Sequence, residues 1–536
     1  MAATQAGRSD ETPAGREDYL LPSGIGIYLL AVLLELVLVV LRTHGQQIYA
    51  VDDAYIHASI ARNLVQHHIY GTTPFATVFA SSSILWPYLI AAVFLVTGVQ
   101  AWVPFALNVL FGVASLIAAK RLLDALTPAM SLRLRAGALF TFAFGAPLVG
   151  MAFSGMEHLL QLASVLFLLE AYLRLLNEPR SVNSPVDART LALAGLALLA
   201  ASVRYEALLL LFPMCVALLF HRRIAASALV AVCGFTPAVL FGLYVQSRTG
   251  AYLSNSITVK SAGHIGFLAL AKSNFLSRPS LAGSVTICFL LAVIVLVLAL
   301  VYSDRQKRPS RSLELLAILL ITFTLHAGLG KFGWFFRYEV YLLGSLTVVV
   351  FAVCVSAWKL TVFRVLLALF VVGMFVRGAL ITWVVPGDAQ GIYEQQFQMG
   401  RFLAHYYSGH TVALNDVGAA TFLSDIHCVD LWGLSSPEVA RLITSGTWDR
   451  PHVTALSGKV EVAILLPSIF GRLAPSNWIP VATLTATNLP AHTTLASNQI
   501  EFYAAEPVAA AALRANLADF KSQLPPGLDL EFLAAP

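Results

Sequence analysis

Eleven apolar runs leave this 536-residue chain few folds to adopt. They cover residues 24–42, 104–123, 136–153, 158–176, 190–203, 206–220, 224–246, 281–302, 313–330, 339–357 and 362–384. A helix crosses the hydrocarbon of a bilayer with about 20 apolar residues, within a range of about 17 to 25. Hydrophobic residues make up 58% of the chain and charged residues 12%, whereas soluble domains carry about 25% charged residues. The bilayer must therefore be the solvent for most of this chain. The runs 190–203 and 206–220 are short and meet at Arg204-Tyr205-Glu206. They read as two tilted spans with a tight hairpin, or as one broken helix pair. A twelfth run, 84–98, begins at Trp86-Pro87 and reads as a re-entrant or interfacial helix. The first run lacks a small-residue cleavage site and is expected to be retained as a span.

Threading the chain with its N-terminus in the cytoplasm puts fifteen Lys and Arg on inner loops and nine on outer loops. That excess obeys the positive-inside rule, and counting 84–98 as a full span would invert every later loop. The expected organisation is a cytoplasmic tail over 1–23, a membrane domain over 24–385 with a first outer loop at 43–103, and an extracytoplasmic domain over 386–536. The last part is more polar and holds strand-like runs at 411–414 and 460–466, with a helical pattern at 436–443 between them. It reads as a small mixed α/β domain. The net charge of +5 is not organised into basic patches with interleaved aromatics, so nucleic acid is not an expected partner. Four of the five cysteines lie in apolar runs and Cys428 stands alone, so no disulfide framework can be drawn.

The first outer loop opens with Val51-Asp52-Asp53-Ala54-Tyr55. Downstream, Ile56, Ile60 and Leu64 recur every four residues, and the intervening positions are polar. The pattern predicts an amphipathic helix along the membrane surface. Asp53 and His57 fall one turn apart on one face. Two carboxylates at a helix start serve as cap and dipole partner. They serve equally as a general base, or as ligands to a divalent metal assisted by His57. Four further polar clusters fall at outer ends of spans: Glu157-His158, Arg204-Tyr205-Glu206, Asn255 with Lys260, and Arg337-Tyr338. Charge at bilayer depth is costly and lines cavities or pairs. Carboxylates facing Arg204, Lys260 and Arg337 would join a base to a cationic clamp suited to phosphate. Arg377, in mid-span, needs an anionic partner, either a lipid phosphate or a neighbouring carboxylate.

These residues resemble the glycosyltransferase C (GT-C) superfamily of integral membrane enzymes that use polyprenyl-phosphate sugars. The resemblance is carried by Asp52-Asp53-Ala54-Tyr55-Ile56, Ala61-Arg62-Asn63-Leu64 and Ser81-Ser82-Ser83-Ile84-Leu85-Trp86. It continues through Gly155-Met156-Glu157-His158, Arg204-Tyr205-Glu206-Ala207, Asn255-Ser256 with Lys260, and Arg337-Tyr338. In the terminal domain it reaches Asn415-Asp416-Val417-Gly418-Ala419 and Val429-Asp430-Leu431-Trp432-Gly433-Leu434. The nearest subgroup contains terminal arabinofuranosyltransferases of the mycobacterial cell wall. This chain departs from it at Tyr205, where Pro is usual, at His158, where Thr is usual, and in lacking the aromatic of the Asn255 segment.

The resemblance implies a helical polytopic fold, about eleven spans and a small outer α/β domain, in a bacterial cytoplasmic membrane. It implies transfer of a sugar, arabinofuranose in that subgroup, from a polyprenyl-phosphate donor to a cell-envelope glycan or lipid acceptor. A first-loop Asp would be the base, with Asp53 preferred over Asp52 because it shares a face with His57. Arg337, Lys260 and Arg204 would bind the leaving phosphate, with Glu157, Glu206, Asn255 and Tyr338 around it. Two other classes fit a polytopic chain. A transporter or flippase of lipid-linked sugars would carry paired charges near mid-membrane and repeated halves, and no repeat is visible. A non-catalytic membrane scaffold would merely display the terminal domain.

Overall fold

The computed structural model describes residues 19–178, 186–261, 266–276, 282–306 and 310–534. The expected tail up to residue 18, and the loop residues Arg180, Arg278, Lys307 and Arg308, lie outside the described residues. Among the described residues, the regular elements of the membrane part are all helices. Its elements are α1 (Leu20–Arg42), α2 (Asp53–His67), α3 (Trp86–Thr97), α4 (Val103–Leu126), α5 (Leu132–Gly145), α6 (Leu148–Ala152), α7 (His158–Asn177) and α8 (Ala188–Val203). They continue as α9 (Ala207–Phe220), α10 (Ile224–Thr249), α11 (Asn255–Ser261), α12 (Phe267–Leu276), α13 (Ala282–Gln306), α14 (Arg311–Leu329), α15 (Val340–Ser356) and α16 (Thr361–Ile392).

Every apolar run of the sequence is helical, and seven helices among the described residues are long and apolar enough to cross a membrane. Helices α8, α9 and α15 are apolar but shorter. The expected span 136–153 divides into α5 and α6 at Pro147, whose missing N–H and ring disfavour a continuous helix. Helices α7 and α15 are buried nearly all round and form the centre of the bundle. Leu30, Leu33 and Leu34 on α1 and Val232, Phe235 and Leu240 on α10 point outward and are exposed. An apolar surface of that extent belongs against lipid, which makes this a multi-pass membrane protein.

Helix α2 does not lie on a surface. Residues 54–63 are all buried, the polar ones included. The polar face that suggested water is covered by the terminal domain: Ser59 lies 3.1 Å from the Thr421 hydroxyl, and Arg62 donates to the Phe422 carbonyl at 2.9 Å and pairs with Asp425 at 2.7 Å. Buried polar groups need partners, and these came from far along the chain. Helix α3, at 12 residues, is too short to span. Its Trp86 is fully buried and donates its indole N–H to the Gly155 carbonyl at 3.2 Å.

Helix α16 runs through Pro386 into the terminal domain, where a π-turn (Tyr393–Phe397) joins it to α17 (Gln398–Tyr406). The compositional boundary at 386 thus falls inside a helix. Beyond it lie β1 (Thr411–Leu414), α18 (Gly418–Leu423), β2 (His427–Asp430), α19 (Pro437–Thr444), α20 (Arg450–Ser457), β3 (Val462–Leu465), α21 (Pro467–Phe470), β4 (Ile479–Ala486), β5 (Gln499–Ala504), α22 (Pro507–Phe520) and β6 (Leu528–Phe532). The strands form one sheet in the order β2-β1-β3-β5-β4-β6, with β2, β1 and β3 parallel and the remaining pairs antiparallel. The strand-like runs and the helix at 436–443 are thus found where the sequence put them. Asp388, at the end of α16, accepts the backbone N–H groups of Thr493 and Thr494 at 2.6 and 2.8 Å, and the Thr494 hydroxyl lies 2.9 Å from the Ala50 carbonyl. The domain is thereby tied to the segment leading into Asp52.

Candidate active site

The acidic pair opens α2, and its two carboxylates meet different partners. Asp53 pairs with Arg337, and its Oδ2 lies 3.7 Å from Lys260 Nζ. Asp52 accepts the backbone N–H groups of Gly418 and Ala419 at 2.8 Å each. Burial raises the proton affinity of Asp53, but the Lys260 and Arg337 charges outweigh it and hold this carboxyl well below the usual range. Burial raises Asp52 as well, and there the adjacent charge of Asp416 adds to it, so Asp52 lies above the usual range despite its two N–H donors. Two neighbouring carboxylates thus acquire opposite tendencies from their surroundings.

Arg337 stands on an unusual turn. Trp334, Phe335 and Phe336 have φ of +46°, +61° and +52°, three L-residues in succession in the left-handed region. The turn is held from below: Arg377 donates to the Phe336 carbonyl at 2.8 Å and pairs with Glu339 at 3.0 Å, both side chains being almost fully buried. Arg377 therefore has a carboxylate partner and not a lipid. The Tyr338 ring lies close to two guanidinium groups, 5.1 Å from Arg337 and 5.5 Å from Arg204, and its hydroxyl is 3.2 Å from Arg337 Nη2. The His158 ring meets the same tyrosine edge-on at 5.8 Å.

Arg204 donates to Glu206 at 2.9 Å and to Glu157 at 2.6 Å, so both carboxylates of the α7 and α9 starts are spent on it. Behind them, His57 has Nε2 3.7 Å from Glu157 and Nδ1 3.1 Å from the Ser81 hydroxyl. Burial pushes this imidazole below its usual range, although the carboxylates of Glu157 and Asp53 oppose the shift. His57 thus joins the Glu157 network, while Asp53 turns to the cations. Asn255 points elsewhere: its side chain donates to the Leu434 carbonyl at 3.3 Å and fastens the α11 segment to the terminal domain.

Ser82, Arg204, Tyr205, Glu206, Ser256, Lys260, Lys331 and Tyr338 line a cavity of about 280 Å³, with Leu209, Leu253 and Leu329 on its walls. A larger cavity of about 700 Å³ lies between α1, α5 and α16, walled by Phe140, Phe144, Phe375 and Trp383. None of the expected site residues lines it, whereas Arg204, Glu206, Lys260 and Tyr338 line the smaller, charged cavity, which is the candidate active site. Asp52, Asp53, Arg337, Glu157, His57 and Asn255 line neither, and Asp53 and Arg337 adjoin the smaller one through Lys260 and Tyr338. Ser82 and Lys331 join the cavity only through the fold, which also brings the charge of Asp416 to Asp52. The Asn415–Ala419 run was visible, but its spatial relation to Asp52 was not. Among the described residues, no three His, Cys, Asp or Glu side chains are grouped to hold a metal ion. The acidic pair does not fit one either: Asp53 is turned to two cations and Asp52 to two N–H donors.

Residues 390–503 match a family model described as a domain of unknown function, DUF8728. No curated protein matches the chain. Among solved structures, the chain is similar to ArnT from Cupriavidus metallidurans in the apo state, at 12% identity and a TM-score of 0.55 over 92% of this chain and 99% of that one. It is similar to the apo oligosaccharyltransferase of Archaeoglobus fulgidus, at 12% identity and a TM-score of 0.52 over 95% and 79% of the two chains. The same organism's AglB, in complex with an inhibitory peptide and a dolichol-phosphate, is matched at 12% identity and a TM-score of 0.50 over 94% and 78%. The chain, helical bundle and small terminal α/β domain together, shares its fold with ArnT and with the Archaeoglobus fulgidus oligosaccharyltransferase.

Proposed function

We propose that this protein is an inverting membrane glycosyltransferase that moves a sugar from a polyprenyl-phosphate donor to a glycan or lipid acceptor of the cell envelope. One observation carries the reading: a carboxylate, Asp53, occupies a cationic seat made by Arg337 and Lys260 beside a second carboxylate that those cations do not neutralise. A phosphate suits that seat for the same reason, since a guanidinium presents paired donors to its oxygens. The dolichol-phosphate bound by AglB, a protein of this fold, supports the same donor class. Residues 24–385 would form the catalytic bundle and 386–536 an extracytoplasmic domain, in a bacterial cytoplasmic membrane with the N-terminus inside.

The roles follow from the geometry. Arg337, Lys260 and the Tyr338 hydroxyl hold the donor phosphate. Arg204, neutralised by Glu157 and Glu206, keeps the Tyr338 ring in place, with His57 buttressing Glu157. The electrostatics favour Asp52 as base over Asp53, because a carboxylate paired with two cations has little affinity for a proton. The acceptor hydroxyl gives its proton to Asp52 as its oxygen bonds to the anomeric carbon. The bond from that carbon to the phosphate oxygen breaks, and its electron pair leaves on the polyprenyl phosphate. A single displacement inverts the anomeric carbon. Charge grows on the phosphate as the bond breaks, so preplaced cations stabilise the transition state more than the ground state. Arabinofuranose is the proposed sugar, on the sequence resemblance.

The test uses the full-length protein in lipid nanodiscs with a panel of polyprenyl-phosphate sugars, arabinofuranose among them. Release of polyprenyl phosphate with at least one donor, abolished in Asp52→Asn and Arg337→Met, is the expected result. Failure to turn over any donor, together with no binding of polyprenyl phosphate itself by native mass spectrometry, would overturn the proposal.

A further inference from the structure

The terminal domain reaches Asp52 through the segment that follows β1, and the loop after β3 and the π-turn hold that segment in place. Strand β1 lies between β2 and β3, all parallel, and the chain passes to β2 on one side and later to β3 on the other. That reversal opens a crevice at the carboxyl ends of β1 and β3, the edge where parallel sheets generally carry their functional residues. Asn415 begins this edge, and its Oδ1 accepts the Leu466 N–H at 2.8 Å, which fixes the loop after β1 against the loop after β3. Asp416 follows, and its Oδ2 accepts from Gln396 Nε2 at 3.0 Å. Gln396 belongs to the π-turn Tyr393–Phe397, a local widening of the helix that recurs at functional sites. Two residues beyond Asp416, Gly418 comes so near Asp52 that a Cβ there would lie 2.6 Å from the Asp52 Cγ. Only glycine permits that approach.

We propose that the terminal domain completes the active site: Gly418 and Ala419 hold the Asp52 carboxylate by two backbone hydrogen bonds, and Asp416, two residues before Gly418 and fixed by Gln396, is a positioning residue for it. The inference rests on reading Asp52 as the base and gives a role to the region matched by the domain of unknown function. The two N–H donors aim the carboxylate and favour its charged form. Asp416 opposes them, since a like charge nearby makes ionisation harder. The other groups facing Asp52 are Asp53 and Tyr55 on its own helix, with Lys260 of α11 and Arg337 of the turn before α15 behind Asp53. A base aimed by the first effect and strengthened by the second accepts the hydroxyl proton better than a carboxylate held by hydrogen bonds alone. Asp416 itself exchanges no atom with substrate.

The experiment is an infrared difference titration of carboxyl groups in the full-length protein in nanodiscs, without substrate, for wild type, Asp52→Asn and Asp416→Asn. A protonated-carboxyl band should titrate above the ordinary carboxylate range in wild type and vanish in Asp52→Asn. In Asp416→Asn, which keeps the acceptor for Gln396, its midpoint should fall by about one pH unit or more. The acid limb of the kcat/KM profile should move by the same amount. An unmoved midpoint in Asp416→Asn, or no band that Asp52→Asn removes, overturns the inference. Gly418→Ala, checked for folding by its helical circular dichroism, should lose at least tenfold in kcat with the donor KM unchanged; a change in KM alone overturns the clamp. If wild type transfers no sugar, the proposed function falls while the titration still decides this inference.

Discussion

Replacing Arg377 by Met tests whether the membrane interior holds the active-site turn in place. The Arg377 and Glu339 side chains are 0% and 1% exposed and pair at 3.0 Å. Removing one partner of a buried pair costs about 3–5 kcal/mol, because the other charge stays behind uncompensated. Among the described residues, Glu339 would keep its bond from the Gly333 N–H at 3.2 Å. The turn above stores free energy of similar size: left-handed conformation costs about 1–2 kcal/mol per L-residue, and Trp334, Phe335 and Phe336 all adopt it. Once Arg377 no longer holds the Phe336 carbonyl, the turn has reason to relax, and Arg337 is the next residue. The expected result is a loss of about 3–5 kcal/mol in stability, less whatever the relaxing turn recovers. Affinity for polyprenyl phosphate should fall at least about tenfold, or about 1.4 kcal/mol. Adding Glu339→Gln removes the orphaned charge and should restore more than half the stability, while donor affinity stays low. The assays are reversible unfolding in mixed micelles, read as a double-mutant cycle, and native mass spectrometry for the ligand. Additivity within about 0.5 kcal/mol, or unchanged affinity in Arg377→Met, would refute the reasoning.

Asp52→Asn should abolish transfer while leaving polyprenyl phosphate bound, checked by turnover and native mass spectrometry. Asp52 must be ionised to act and its carboxyl is raised in the folded protein, so wild-type kcat/KM should fall as pH drops through a midpoint above the ordinary value of about 3.9. Arg204→Lys keeps the charge but cannot serve Glu157 and Glu206 together, so a fall in kcat of at least about tenfold is expected where a point charge cannot replace the planar fork; wild-type kinetics would count against it. Asp388→Ala orphans the Thr493 and Thr494 N–H groups at about 1–3 kcal/mol each. Limited proteolysis should then release the terminal domain faster than in wild type.

Much of the scaffold was legible because a bilayer imposes a length and a polarity on whatever crosses it. All eleven runs are helices for that reason, and the break at Pro147 follows from a ring and a missing N–H. Helix α2 was read correctly as a helix and wrongly as a surface. Periodicity reports which face is polar, but Ser59 and Arg62 satisfy that polarity with Thr421, Phe422 and Asp425 more than 350 residues away. The charged clusters were each visible as costly groups at span ends. Their pairing was not: Arg204 could have faced a phosphate as readily as Glu157, and Asn255 could have faced the cavity as readily as Leu434.

The sequence alone determined a polytopic helical membrane protein with its chemistry gathered at one end, since apolar length and the placement of charge are local properties. It also located Asp52 and Asp53 as the acids of interest. Tertiary structure alone decided how they differ. Arg337 and Lys260 reach Asp53 from two other segments, and the terminal domain brings Gly418, Ala419 and Asp416 to Asp52. Adjacent carboxylates have nearly the same intrinsic proton affinity, so only the charges and dipoles that folding sets around each can separate their roles.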